Sequence, residues 1–216
     1  MRGKYSSFSE LALNEQEGED YTIIYREADS RIAIIAPHGG GIEPGTIDIA
    51  DAVAGLEYTL YGLKGVKKNG NYILHINSNT FDEPSGVKAS RNSLVAVTIH
   101  GCQDKTAIVL LGGRNQELKQ YMLSALRAAG FTAAISEIPG LRGIDPENIC
   151  NRCTSGKGVQ LEISRGLRER MFDNLDHRLL RKKTILFYSF VQALREALRI
   201  FDEHLPMSSA AGPRNC

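Results

Sequence analysis

The chain has 216 residues, of which 42% are hydrophobic, and its 26 Lys and Arg against 25 Asp and Glu leave a net charge of +1. That much apolar material excludes an intrinsically disordered chain, and the length suits one domain. The balanced charge excludes binding of nucleic acid by bulk electrostatics, so a charged ligand would have to meet a local cluster. The N-terminal stretch carries Glu10, Glu15, Glu17, Glu19 and Asp20 without an apolar core, unlike a secretory signal. Short apolar runs then predict strands at Tyr21–Tyr25, Arg31–Ala36, Tyr72–Ile76, Leu94–Ile99, Ala107–Leu111, Thr132–Ser136 and Val159–Ile163. Several are apolar on both faces, as in strands buried between helix layers.

Glu117–Ala129 predicts an amphipathic helix with Leu118, Met122, Ala125, Leu126 and Ala129 on one stripe and Gly130 at its C-terminal end. Asp145-Pro146 predicts the start of a short helix, Asp as cap and Pro in the first turn. Thr184–His204 predicts a long helix, with Leu186, Phe190, Leu194, Leu198 and Phe201 packed on the sheet. Pro206–Cys216 is small and polar and reads as a flexible tail. The expected fold is a single α/β domain over residues 1–205, an open mixed, mainly parallel sheet with helices on both faces. The longest apolar runs fall far short of the roughly 20 residues that cross a bilayer, so no membrane span is expected.

Four segments carry chemistry. Arg31–Thr46, RIAIIAPHGGGIEPGT, runs from a strand into His38, three glycines and Glu43. Ligands in α/β proteins sit just past such strand ends. A glycine turn can fold His38 and Glu43 toward one point, and imidazole with carboxylate suits zinc, given a third protein ligand and an open position; taken alone, this segment reads more simply as a glycine turn with a strand-capping His. Leu94–Ile99 ends in His100-Gly101-Cys102, a second strand-end histidine, which converges with the first if the strands are parallel. Leu110–Gln116, LLGGRNQ, presents Arg114 and Asn115 at a helix start, where anions are favoured. In Gly156–Arg168 the strand VQLEIS places Glu162 amid apolar residues, costly unless paired or functional. It reads as a general base or as half of a buried ion pair with the arginines that follow.

In this order the motifs PHGGGIEPGT, YGLKG, FDEP, IHGC, GGRNQ and GVQLEISRGLR resemble the poly-γ-glutamate hydrolase family of bacteria and their phages, across roughly residues 20–200. That resemblance implies a zinc carboxypeptidase-like fold and one zinc ion held by His38, Glu43 and His100. It also implies Glu162 as catalytic glutamate, Arg114 and Asn115 as holders of a substrate carboxylate, and Arg165 as a further anion contact. The reaction it implies is hydrolysis of γ-glutamyl amide bonds. Arg114, Arg142, Arg152, Arg165 and Arg168 fall in the site-forming segments and would supply focused cationic recognition of an anionic γ-glutamyl polymer or a related small amide.

Two other readings compete. The glycine turns Gly39–Gly41 and Gly112–Gly113 could cradle phosphate in a nucleotide-binding module without hydrolase activity, although no Walker or GxGxxG pattern is present. Cys150-x-x-Cys153 could support thiol redox, but it lacks the strand-before, helix-after context. Cys102, Cys150, Cys153 and Cys216 are too few for a disulfide scaffold and point to a reducing compartment. The expected setting is cytoplasmic at synthesis, with action after cell lysis. Neither nucleic acid nor membrane is an expected partner, and the expected state is a monomer. His75, His177 and His204 read as structural or exposed, and Asp82 and Glu83 as loop-capping or supporting groups.

Overall fold

A computed structural model describes residues 3–205, so the expected tail at 206–216 and Cys216 lie outside the described residues. The chain order is α1 (Phe8–Asn14), β1 (Tyr21–Arg26), β2 (Ile32–Gly40), α2 (Thr46–Ala54), β3 (Thr59–Gly65), α3 (Pro84–Arg91), β4 (Val95–Cys102), β5 (Val109–Gly113), α4 (Gln116–Ala128), β6 (Ala133–Ile135), β7 (Val159–Ser164), α5 (Arg165–Met171), β8 (Phe172–Asp173), β9 (Lys182–Lys183) and α6 (Ile185–His204). Seven strands form one sheet in the order β1-β3-β2-β4-β7-β5-β6, while β8 and β9 pair separately. The expected α/β domain with a mixed sheet is what forms. Its central strands β3, β2, β4 and β7 are parallel; β1 is antiparallel to β3, and β5 to β7.

All nine residues of β2 are buried. Alternate side chains serve two cores, because successive residues of a strand face opposite ways. Ile32 and Ile34 join Val95, Val97, Leu161 and the apolar stripes of α2, α4 and α6 on one side. Ala33 and Ile35 join Leu11, Tyr61, Leu74, Phe81 and Ile149 on the other. Burying a side chain the size of Ile or Phe stabilises by about 1.5–3 kcal/mol, so these two layers set the sheet's position. The predicted stripe of α4 buries Leu118, Met122 and Leu126, with Gly130 just beyond its end at φ +84°. α6 buries Phe187, Phe190, Leu194, Leu198 and Phe201. Among the described residues no helix is long and apolar enough to cross a membrane.

Two predicted elements are corrected. Tyr72–Ile76 is not a strand; Asn71–Leu74 forms a 3-10 turn after Gly70, which sits at φ +75°. Its alternating apolar residues bury Leu74 and Ile76 with Leu11, Ile35 and Phe81 against the sheet rather than extending it. The helix expected from Asp145-Pro146 is instead a turn in which Asp145 Oδ1 accepts the Glu147 N–H, and the helical turn starts later, at Ile149–Arg152 under an Asn148 cap.

Candidate metal and hydrolytic site

Parallel strands deliver their C-terminal ends to one edge, and the site lies there. The register sets His100 of β4 beside Glu162 of β7. β2 is parallel to β4 and carries His38 at the same end. After His38 the chain reverses through Gly40, at φ +69° and so close to the neighbouring strand that a Cβ would lie 2.2 Å from the Gly65 carbonyl oxygen. That reversal returns Glu43 to His38, with the Glu43 N–H donating to the His38 carbonyl. The chain then enters α2 through Gly45, at φ +91°.

His38, Glu43 and His100 converge as the sequence reading expected. His38 Nδ1 is 3.2 Å from Glu43 Oε1 and 3.2 Å from His100 Nδ1, and His100 Nδ1 is 3.9 Å from Glu43 Oε2. His38 Nε2 donates to the Ile76 carbonyl at 2.7 Å, which leaves Nδ1 with its lone pair facing the other two. Donors of a tetrahedral zinc at bond lengths of about 2.0–2.1 Å lie about 3.3 Å apart, which the two 3.2 Å separations match, while His100 is 3.9 Å from the second carboxylate oxygen, itself taken by the Gly101 N–H. A backbone carbonyl holding the outer nitrogen of a ligating histidine is the usual support for such a ligand. Burial would raise the Glu43 carboxyl, but His38, and then His100 and His75, outweigh it and hold it down at about 2. Burial, and then His38, push His100 down to about 3, which keeps it neutral.

His75 is the residue the sequence reading missed. Its ring stacks on His38 at 3.8 Å, and its Nε2 lies 3.7 Å from Glu43 Oε1. The ligand-type atoms of His38, Glu43 and His75 lie within 4.8 Å of one another. Burial, then His38, lower its pKa to about 3. No glycine follows His75 and its segment alternates like a strand, so nothing in the local pattern marks it.

Glu162 is buried beside this cluster. Burial first, and the Glu43 charge second, push its carboxyl up to about 8. Gln160 Nε2 donates to Glu162 Oε1 at 2.9 Å, and Asn148 in turn donates to Gln160 Oε1. The cluster and Glu162 line a cavity of about 920 Å³, walled by Tyr72, Asn77–Asn79, Cys102-Gln103 and the 139–148 loop. A second cavity of about 780 Å³, lined by the 3–6 segment, shares His75, Asn77 and Asn79 with it.

The expected carboxylate holders are not in the cavity. β5 runs against β7, with Gly113 opposite Val159, so Arg114 and Asn115 leave the sheet about 10 Å from the level of Glu162, at the other end of β7. Arg114 is exposed, and Asn115 accepts from the Leu118 N–H as the cap of α4. Arg165 is committed to Asp176 and Glu169. Arg152 donates to the Ser78 and Phe81 carbonyls, and Arg168 is fully buried. Among the described residues no Lys or Arg lines the larger cavity, so the expected arginine cluster does not form. Glu83 caps α3 through the Gly86 N–H, and Asp82 accepts from the Phe8 N–H, so FDEP secures loops.

The rival readings lose their geometry. The N–H groups of Gly41 and Gly113 already donate to the Gly65 and Arg142 carbonyls, leaving no open phosphate cradle there. Cys150 and Cys153 are free and buried, and burial pushes the Cys150 thiol up, away from redox reactivity.

A parallel-strand edge bearing two histidines, two glutamates and a cavity defines an α/β protein with a candidate hydrolytic metal centre. The chain belongs to the poly-gamma-glutamate hydrolase family, whose pattern matches residues 5–193. It is 37% identical to the UPF0714 protein YmaC of Bacillus subtilis (strain 168) over 197 residues, 90% of this chain and 83% of YmaC. In structure it is similar to a bacteriophage poly-gamma-glutamate hydrolase, with a TM-score of 0.88 and 34% identity, covering 93% of this chain and 98% of that one. It is also similar to YndL in its zinc-free apo form, with a TM-score of 0.84 and 31% identity, covering 92% and 98%. The sheet and helices are therefore those of a poly-γ-glutamate hydrolase.

Proposed function

We propose that this protein is a zinc-dependent amide hydrolase that cleaves γ-glutamyl bonds of poly-γ-glutamate, with Glu162 as its general base. The observation that carries the reading is the convergence of His38 Nδ1, Glu43 and His100 Nδ1 beside a buried glutamate of raised pKa. His38, Glu43 and His100 would hold one zinc ion. When bound, zinc supplies Lewis acidity, acidifying water and polarising an amide carbonyl.

The chain's own groups do the rest. Gln160 occupies Glu162 Oε1, so Oε2 is the oxygen left to take a proton from water and pass it to the leaving amine. His75, at the cavity wall beside Glu43, meets whatever occupies the space between the cluster and Asn77. Asn77, Ser78 and Asn79 present amide and hydroxyl groups suited to hydrogen-bonding peptide-like links and carboxylates. The two cavities share His75, Asn77 and Asn79 in their walls, an arrangement suited to an extended polymer lying across the cluster instead of entering by one end. All of these residues come from one chain, so a monomer suffices. In a gel assay poly-γ-glutamate should shorten with the zinc-loaded protein and stay intact with a chelator. A protein that takes up no metal, or leaves the polymer intact when loaded, would overturn the reading.

A further inference from the structure

Arg168, in the last turn of α5, has no solvent exposure at all. Among the described residues it has no carboxylate in ion-pair contact, although burying an uncompensated cation is costly. Its guanidinium is used instead on three backbone carbonyls. Nη1 donates to Pro44 O at 2.8 Å, Nη2 to Cys102 O at 3.0 Å and Nε to Ile163 O at 3.1 Å. Pro44 follows Glu43, Cys102 is two residues past His100, and Ile163 follows Glu162. One planar group therefore touches each of the three segments that carry the cluster.

The backbone makes room for it. A Cβ on Gly101 would lie 2.6 Å from Arg168 Cζ, so the glycine after His100 lets the guanidinium lie against the strand end. The same Gly101 donates its N–H to Glu43 Oε2 at 2.8 Å. The peptide that fixes Glu43 is thus the one Arg168 packs on.

We propose that Arg168 is a positioning residue that ties the Glu43, His100 and Glu162 segments at one spacing and so sets metal affinity and turnover. This rests on the metal-centre reading above. Lysine keeps the charge but presents a single nitrogen, which cannot span three carbonyls on three segments in the guanidinium's plane. Supporting groups around ligands change metal affinity or activity by about 10–100-fold when removed.

Arg168→Lys and Arg168→Met would be compared with the wild type for thermal midpoint, zinc affinity against a competing chelator, kcat and KM on poly-γ-glutamate, and exchange of the Gly101 amide in metal-free protein. Arg168→Lys is expected to stay folded while zinc affinity and kcat each fall at least about tenfold, KM changes less than about twofold, and Gly101 exchanges faster. Arg168→Met is expected to lose at least as much, and if it fails to fold, the lysine variant carries the test. A folded lysine variant with wild-type zinc affinity, kcat and Gly101 exchange would overturn the proposal. If wild type binds no zinc, the metal-centre reading fails, and Gly101 exchange alone decides whether Arg168 holds the segments.

Discussion

Glu162→Gln separates a general base from a structural glutamate. Glutamine keeps the shape and can still accept the Gln160 N–H, but it cannot ionise. In the metal-free fold, burial and then Glu43 push the Glu162 carboxyl up from 4.5 to about 8. Between those values the unfolded chain releases a proton that the folded chain keeps, so stability falls as pH rises from about 4.5 to about 8 and then levels. At ~1.4 kcal/mol per pKa unit, the cost is ~3 kcal/mol at pH 7 and ~5 kcal/mol above pH 8. Glutamine does not carry it. The variant should therefore be more stable than wild type by ~3 kcal/mol at pH 7, about 6–12 °C in Tm for a chain of this size, with little difference below pH 4.5. Thermal and urea melts in excess chelator at pH 4.5, 7 and 8.5 read this directly, and the same variant should have lost polymer hydrolysis. An equal difference at all three pH values, or a variant less stable at pH 8.5, would refute the buried-carboxyl argument; full activity would refute the base assignment.

Zinc at a hundred times its Kd should stabilise wild type by ~2.7 kcal/mol and His38→Ala or His100→Ala by almost nothing, as scanning calorimetry would show. Arg114→Ala should leave KM for the polymer unchanged, because that side chain lies at the other end of β7. Asn115→Ala should cost ~1 kcal/mol of stability through its lost cap, again with KM unchanged in steady-state kinetics. Replacing Cys150 and Cys153 together by Ser should leave hydrolysis and zinc content intact, since neither residue lines the cavity; a loss of metal on atomic absorption would contradict that.

Much of the sheet was legible because burial on two faces leaves continuous apolar runs, as in Arg31–Ala36 and Leu94–Ile99. The strand-end histidines could be paired only by supposing that their strands run parallel and so share an edge. Strand direction was not legible. Leu110–Gln116 looks the same whether β5 runs with β7 or against it, and only long-range pairing sends Arg114 to the far end. His75 was hidden because period-two alternation also describes a short turn that buries Leu74 and Ile76. Arg168 read as a substrate cation because the carbonyls it satisfies come from residues 44, 102 and 163, a contact set no local window contains.

Among the described residues the wall of the larger cavity carries no lysine or arginine, and under the proposed hydrolysis this bears on product release as well as on binding. Each fragment of an anionic polymer would carry off its carboxylates without breaking an ion pair to a fixed cation in that wall. Product held against that wall should then leave with little dependence on salt, whereas product reaching the smaller cavity would also meet Lys4. Such a wall favours release over capture where substrate is abundant.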